Sequence, residues 1–224
     1  MRRIFRIGTV AALVLLAAGT LQAAELSQKA DRLHVSGMLD GSAAREFAGR
    51  LQQGGVRVVV FEDALGGSAD VAVAYAQAIQ AAGVETEVVG QCHAACAYAF
   101  LAGRSHRFGE GDQVNALLIP VAARPGAQEL GTRWRGDAAR QTLAEFTDVD
   151  AAAASAVPAA SAPSSPARGS RRWQPEHGLL FVSSPTLFGR IYNTYYCDGS
   201  QGRDFTRCEL LPDADPRQLG IVSD

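Results

Sequence analysis

The chain has no basic excess, no long apolar run beyond its first residues and no clustered metal-ligand spacing, and each absence removes a class of function. Across 224 residues, 21 Lys and Arg stand against 23 Asp and Glu, so no basic face is offered to the phosphates of a nucleic acid. Charge at 20% is too low, and hydrophobic content at 47% too high, for an intrinsically disordered protein. The stretch IGTVAALVLLAAGTL that follows MRRIFR is shorter than the ~20 residues a spanning helix needs, so no stable membrane anchor is expected. No cysteine follows it, so no lipoprotein is implied. His34, His93, His106 and His177 are scattered singly, and Cys92 and Cys96 lack zinc-ribbon spacing. Neither a metal nor another cofactor is therefore expected.

What is present begins with an export signal. Three arginines, a short apolar core and acceptable cleavage positions at Leu21 and Ala23 occur in the order of a secretory signal peptide over residues 1–23. Loss of Arg2, Arg3 and Arg6 takes the basic count from 21 to 18 against 23 acidic residues, a mature net charge of about −5. Export to a periplasm or the extracellular medium makes disulfides the default for the four cysteines. Of the pairings they allow, the local one joins Cys92 to Cys96 and Cys197 to Cys208 and requires no contact between distant segments. The second bridge would clip a hairpin, worth roughly 3 kcal/mol in the chain-entropy model.

From about Leu26 to Pro120, strand-like and helix-like runs alternate. RLHVSGML (32–39), VRVVVFE (56–62), TEVVGQ (86–91) and VNALLIPV (114–121) read as strands. SAAREFAGRLQQGG (42–55), GGSADVAVAYAQAIQAAG (66–83) and AACAYAFLAG (94–103) read as glycine- or turn-bounded helices. The β-branched run at 56–62 is typical of a strand buried in a parallel sheet, and the alternation argues for α/β layers. The Ala, Ser and Pro of 151–172 have no apolar face and read as a disordered linker. Beyond it, GLLFVSSP, TLFGRIYNTYYCDG and DFTRCELLPD suggest a small antiparallel unit. The expected organisation is a signal peptide (1–23), an α/β core (24–123), a partly helical peripheral segment (124–150), a linker (151–172) and a disulfide-clipped β-rich unit (173–224).

LGGSADVAVAYAQAI, CHAACAYAFLAG and RFGEGDQVNALL, taken in order, resemble the Clp-protease/crotonase superfamily over residues 32–121. The likeness is greatest to secreted, Clp-protease-like periplasmic proteins with a C-x-S-A-C turn. This implies a repeated β-β-α core with a parallel sheet, and self-association into a homo-oligomer. A site of this kind needs a serine at a strand-to-helix turn, a histidine to take its proton, and two backbone N–H donors facing the developing oxyanion. The resemblance carries the donors to Gly67, preceded by Gly66, and to Ala95. It carries the nucleophile to Ala94 and the histidine to Leu118, both inert hydrocarbon. A register shift to Ala116, Leu117, Ile119 or Pro120 supplies no base either.

The remaining reactive groups have simpler readings. Cys92 or Cys96 with adjacent His93 makes a tempting dyad, but neighbours at a strand end point to opposite faces, and an exported C-x3-C pair tends to be bridged or buried. Ser68 reads as a helix cap with no base beside it. An acyl-CoA activity of the crotonase type would use the two N–H donors without the serine, but CoA thioesters are cytoplasmic, and Glu62 and Asp63 read as a solvent-facing strand-end pair. The sequence therefore leads to an exported, catalytically inactive module that binds an unidentified peptide or protein. The competing expectation is a weak hydrolase using an unrecognised nucleophile.

Overall fold

The computed structural model describes residues 23–121, 124–126, 130, 177–201 and 204–223. The expected linker at 151–172 lies outside them, as does the signal segment up to residue 22.

The chain is a mixed α/β structure built on one sheet. Its strands are β1 (Glu25–Lys29), β2 (Arg32–Met38), β3 (Val58–Leu65), β4 (Glu85–His93), β5 (His106–Phe108), β6 (Asn115–Val121), β7 (His177–Thr186), β8 (Gly189–Cys197) and β9 (Glu209–Leu210). The helices α1 (Ala44–Gln52), α2 (Ala69–Ala82) and α3 (Ala95–Leu101) are interleaved with the central strands. The sheet order is β1-β2-β3-β4-β6-β7-β8-β9, with β5 pairing β4 as well. The centre of the sheet, β2 through β6, is parallel. Hairpins add antiparallel strands on both flanks.

Side-chain alternation divides the sheet into two faces. Leu33 and Val35, Val59 and Phe61, Val88 and Cys92, Leu117 and Ile119, and Leu179 and Phe181 join Phe47, Tyr75, Ile79 and Phe100 of the helices in one core. The alternate residues Ala116, Leu118, Leu180, Val182, Tyr195 and Cys197 gather with Phe205 and Cys208 in a second cluster on the outer face. Two sequence devices fix the central crossover. The Ser68 hydroxyl caps α2 by accepting the Val71 N–H at 3.4 Å. Gly83, at φ 61, ends the helix with its N–H on the Ile79 carbonyl.

The structure corrects the expectation of a separate C-terminal appendage. β7 pairs with β6 from Asn115↔Ser183 to Val121↔His177, and Leu179, Phe181, Leu219 and Ile221 lie in the main core. The last residues run beside β5, where the Ser223 N–H donates to the His106 carbonyl at 2.7 Å. The alternation within GLLFVSS buries Leu179 and Phe181 only against an existing core, which draws the hairpin onto the sheet. Two strands were not legible in the sequence. β1 (ELSQK) is a polar edge strand with little burial, and β5 is only three residues long.

Candidate functional site

The carboxyl ends of β2, β3 and β4 meet around Leu39, Gly66, Gly67 and Ala94, where open parallel sheets usually place their ligands. Gly67 sits at φ +98, and a Cβ there would lie 2.5 Å from the Ala95 Cβ and 2.6 Å from the Leu39 carbonyl oxygen. Only glycine allows the turn after β3 to approach the turn after β4 this closely. Ala94 sits between β4 and α3 at φ 60, ψ −114, a sparsely populated conformation for a residue with a Cβ. The strand-to-helix elbow at the position where the resemblance expects a nucleophile is thus strained, and it carries a methyl group that is 5% exposed.

Three of the residues singled out from the sequence come together, and a fourth does so only through its backbone. Gly67 lies against Ala95, and Ala95 follows Ala94 directly. The Ala94 N–H donates to the Leu118 carbonyl at 3.1 Å, consistent with the His93↔Leu118 pairing of β4 and β6. The Leu118 side chain faces away: it packs in the outer cluster while Ala94 belongs to the helical core. The β6 residues that enter the helical core with Ala94 are Leu117, Ile119 and Val121.

The donor pair departs from expectation. The Ala95 N–H is expected to face the cleft, but it donates to the Gly66 carbonyl at 3.0 Å. The glycine turn that brings Gly67 close also delivers the preceding carbonyl to the first N–H of α3. The Gly67 N–H has no hydrogen-bond partner among the described residues. Of the two expected donors, Ala95 is thus engaged by Gly66.

The cysteines form the local pairs, Cys92 with Cys96 at a Cα separation of 5.3 Å and Cys197 with Cys208 at 4.6 Å. Neither Cys92 nor Cys96 is a free thiol, and both are fully buried. His93 points to the outer face, edge-on to Phe205 at 5.7 Å, with Nε2 3.0 Å from Gln91 Oε1. Burial pushes its pKa down to about 4, a shift that the Asp63 charge partly opposes. The imidazole is therefore neutral near pH 7 and contacts no thiol.

The remaining polar candidates serve structural roles. Glu62 meets His34 Nδ1 at 2.7 Å, and Asp63, at φ 47 in a β-bulge, accepts the Gln91 N–H at 2.9 Å. His106 Nδ1 lies 2.7 Å from the Ile221 carbonyl, and His177 Nδ1 meets the Tyr196 hydroxyl. Among the described residues, no three His, Cys, Asp or Glu side chains converge as a metal site would require. A cavity of about 430 Å³ lined by Val58, Glu85, Arg57 and Arg104 lies at the amino ends of β3 and β4. It is at the opposite end of the strands from Ala94 and takes no part in the elbow.

The bulge at Asp63 and the closed Ala95 donor escaped sequence reasoning, since both depend on how neighbouring strands lie. The pairing of glycine turn and elbow had a sequence signal in Gly66-Gly67 and CHAAC.

No family model matches the chain, and no curated protein matches it. Solved structures similar in shape include a protein described as an enoyl-CoA hydratase from Streptomyces avermitilis, with TM-score 0.34 and 14% identity over 61% of this chain and 75% of the other. A Pseudomonas aeruginosa protein has TM-score 0.33 at 14% identity, over 54% of this chain and 68% of the other. An enoyl-CoA hydratase/isomerase family protein from Hyphomonas neptunium has TM-score 0.32 at 13% identity, over 60% and 76%.

Proposed function

We propose that the chain is an exported Clp-protease-like member of the Clp-protease/crotonase superfamily whose catalytic centre is inert and which binds an extended peptide or protein segment. The carrying observation is the elbow itself, formed in its strained geometry but holding Ala94, with no titratable side chain on its face of β6. Losing the nucleophile or the base of such a centre costs on the order of 10⁶ in kcat, leaving about 10³–10⁴ over water. That residue of activity is too small for a useful hydrolase.

Binding at this place is supported by the partly exposed glycine turn and by the Gly67 N–H, which has no partner among the described residues and is a backbone donor of the kind that extended peptides engage. Export is supported by the two disulfides. No helix among the described residues is long and apolar enough to cross a membrane. An acyl-CoA reading would need both N–H donors, and the Ala95 donor is engaged with Gly66. A cysteine hydrolase would need a free thiol, and all four cysteines are paired.

Fluorescence polarisation with a pool of labelled, unstructured peptides tests this reading, with hydrogen exchange mapping the contact. Saturable binding that protects residues 38–41 and 66–68, without cleavage of the peptides, is expected. Peptide turnover, or protection confined to another face, contradicts it.

A further inference from the structure

β1 forms one edge of the sheet, and no strand pairs with its outer side among the described residues. Its backbone pattern follows from the hairpin. Residues Ala30 and Asp31 connect it to β2, Ala30 at φ 54 and Lys29 facing Arg32, so the Lys29, Ser27 and Glu25 amides and carbonyls turn inward to β2. Those of Leu26 and Gln28 turn outward and pair with no strand among the described residues. Strand edges are usually blunted by a lone lysine, a proline or a bulge. Here the lysine is matched by an acid at the other end of the same strand.

The sequence ELSQK is self-complementary under a two-fold rotation about Ser27. Antiparallel pairing of two copies places Leu26 opposite the partner's Gln28 as a hydrogen-bonded pair, using the groups that face outward. Ser27 then lies opposite the partner's Ser27. Glu25 lies opposite the partner's Lys29 as a non-hydrogen-bonded pair, the type in which side chains come closest. Glu25 and Lys29 are both exposed, and neither has an ion pair among the described residues. Lys29 faces Arg32 across the hairpin, and Arg32 is itself held by Glu87 at 2.7 Å, so the charge of Lys29 is left for an acid from a second copy.

We infer that β1 is a homodimerisation edge, through which two copies join their sheets about a two-fold axis centred on Ser27. The contact supplies about four backbone hydrogen bonds and two Glu–Lys pairs. It is small beside standard interfaces, so the dimer is weak, with a Kd of about 10–100 µM. This inference is independent of the elbow reading and stands or falls separately from it.

Sedimentation velocity over a concentration series tests it on the purified protein. The Glu25→Lys and Lys29→Glu variants each place like charges opposite one another, and each is expected to associate about 10- to 30-fold more weakly than wild type. Mixed in equal amounts, the two variants are expected to form a heterodimer with wild-type affinity, because each acid again meets a lysine. That recovery also shows that the single variants are folded. Gln28→Pro, which removes an outward N–H but none of the hairpin bonds, is expected to abolish association. A wild type that stays monomeric to ~0.5 mM, single variants that dimerise as wild type does, or a mixture that fails to associate, each overturns the inference.

Discussion

The Ala94 amide donates to the Leu118 carbonyl at 3.1 Å, yet the two side chains lie on opposite faces of the sheet. Backbone adjacency therefore does not make these positions a nucleophile–base pair. An imidazole introduced at 118 would enter the outer cluster, between Gly178 and Leu180. The Ala94→Ser, Leu118→His and double variants are all expected to be silent in ester hydrolysis. Turnover by the double variant above that of each single variant would show that the 118 side chain can reach the elbow.

Gly67→Ala should be among the costliest single substitutions in the chain. The added Cβ would meet the Ala95 Cβ at 2.5 Å and the Leu39 carbonyl oxygen at 2.6 Å, at a φ of +98. A loss of about 2–4 kcal/mol is expected by chemical denaturation, since neither neighbour can move without shifting backbone. A loss below about 0.5 kcal/mol would mean that the turn and the elbow are not held together.

Tyr75 points the other way. Its hydroxyl is buried with no hydrogen-bond partner among the described residues, while its ring packs on Phe47 at 4.6 Å. Burial, followed by the charge of Asp40, pushes its pKa up to about 12. Tyr75→Phe keeps the ring and removes the unpaired group, so a gain of about 1 kcal/mol is expected in the same assay. A clear loss would reveal a partner for the hydroxyl.

Acid should destabilise the fold through His93. Burial holds its folded pKa near 4, below the ordinary 6.5 it regains on unfolding. The unfolded chain binds the extra proton, so stability is complete above about pH 6.5 and falls as pH drops toward 4, by up to about 1 kcal/mol per unit. His106 is lowered by burial as well, against its bond to the Ile221 carbonyl, and adds in the same direction. Denaturation midpoints across this range should fall for wild type and fall less for His93→Gln. Equal slopes would remove His93 as a cause.

The α/β alternation was legible because the central elements carry strong local signals: the β-branched run at Val58–Val60, the Ser68 cap, the glycines bounding α2 and the apolar face of 115–121. The local disulfides were legible from spacing together with the expectation of export. What was not legible depends on tertiary context. ELSQK has no apolar periodicity because an edge strand buries so little, and GLLFVSS looks alike whether it covers its own core or extends another. The elbow's neighbours were readable from Gly66-Gly67 and CHAAC. The direction of the Ala95 N–H was not, because it depends on where the Gly66 carbonyl points after the strands are stacked.

The proposal that the centre is inert is tested most directly by a broad serine- and cysteine-hydrolase probe applied to the purified wild-type protein, with ester hydrolysis measured on the same sample. No labelled residue and no turnover above buffer are predicted, since Ala94 offers only a methyl group and Cys92 is bridged to Cys96. Stoichiometric labelling at a defined residue, accompanied by turnover that survives Cys92→Ala and Cys96→Ala, would contradict it.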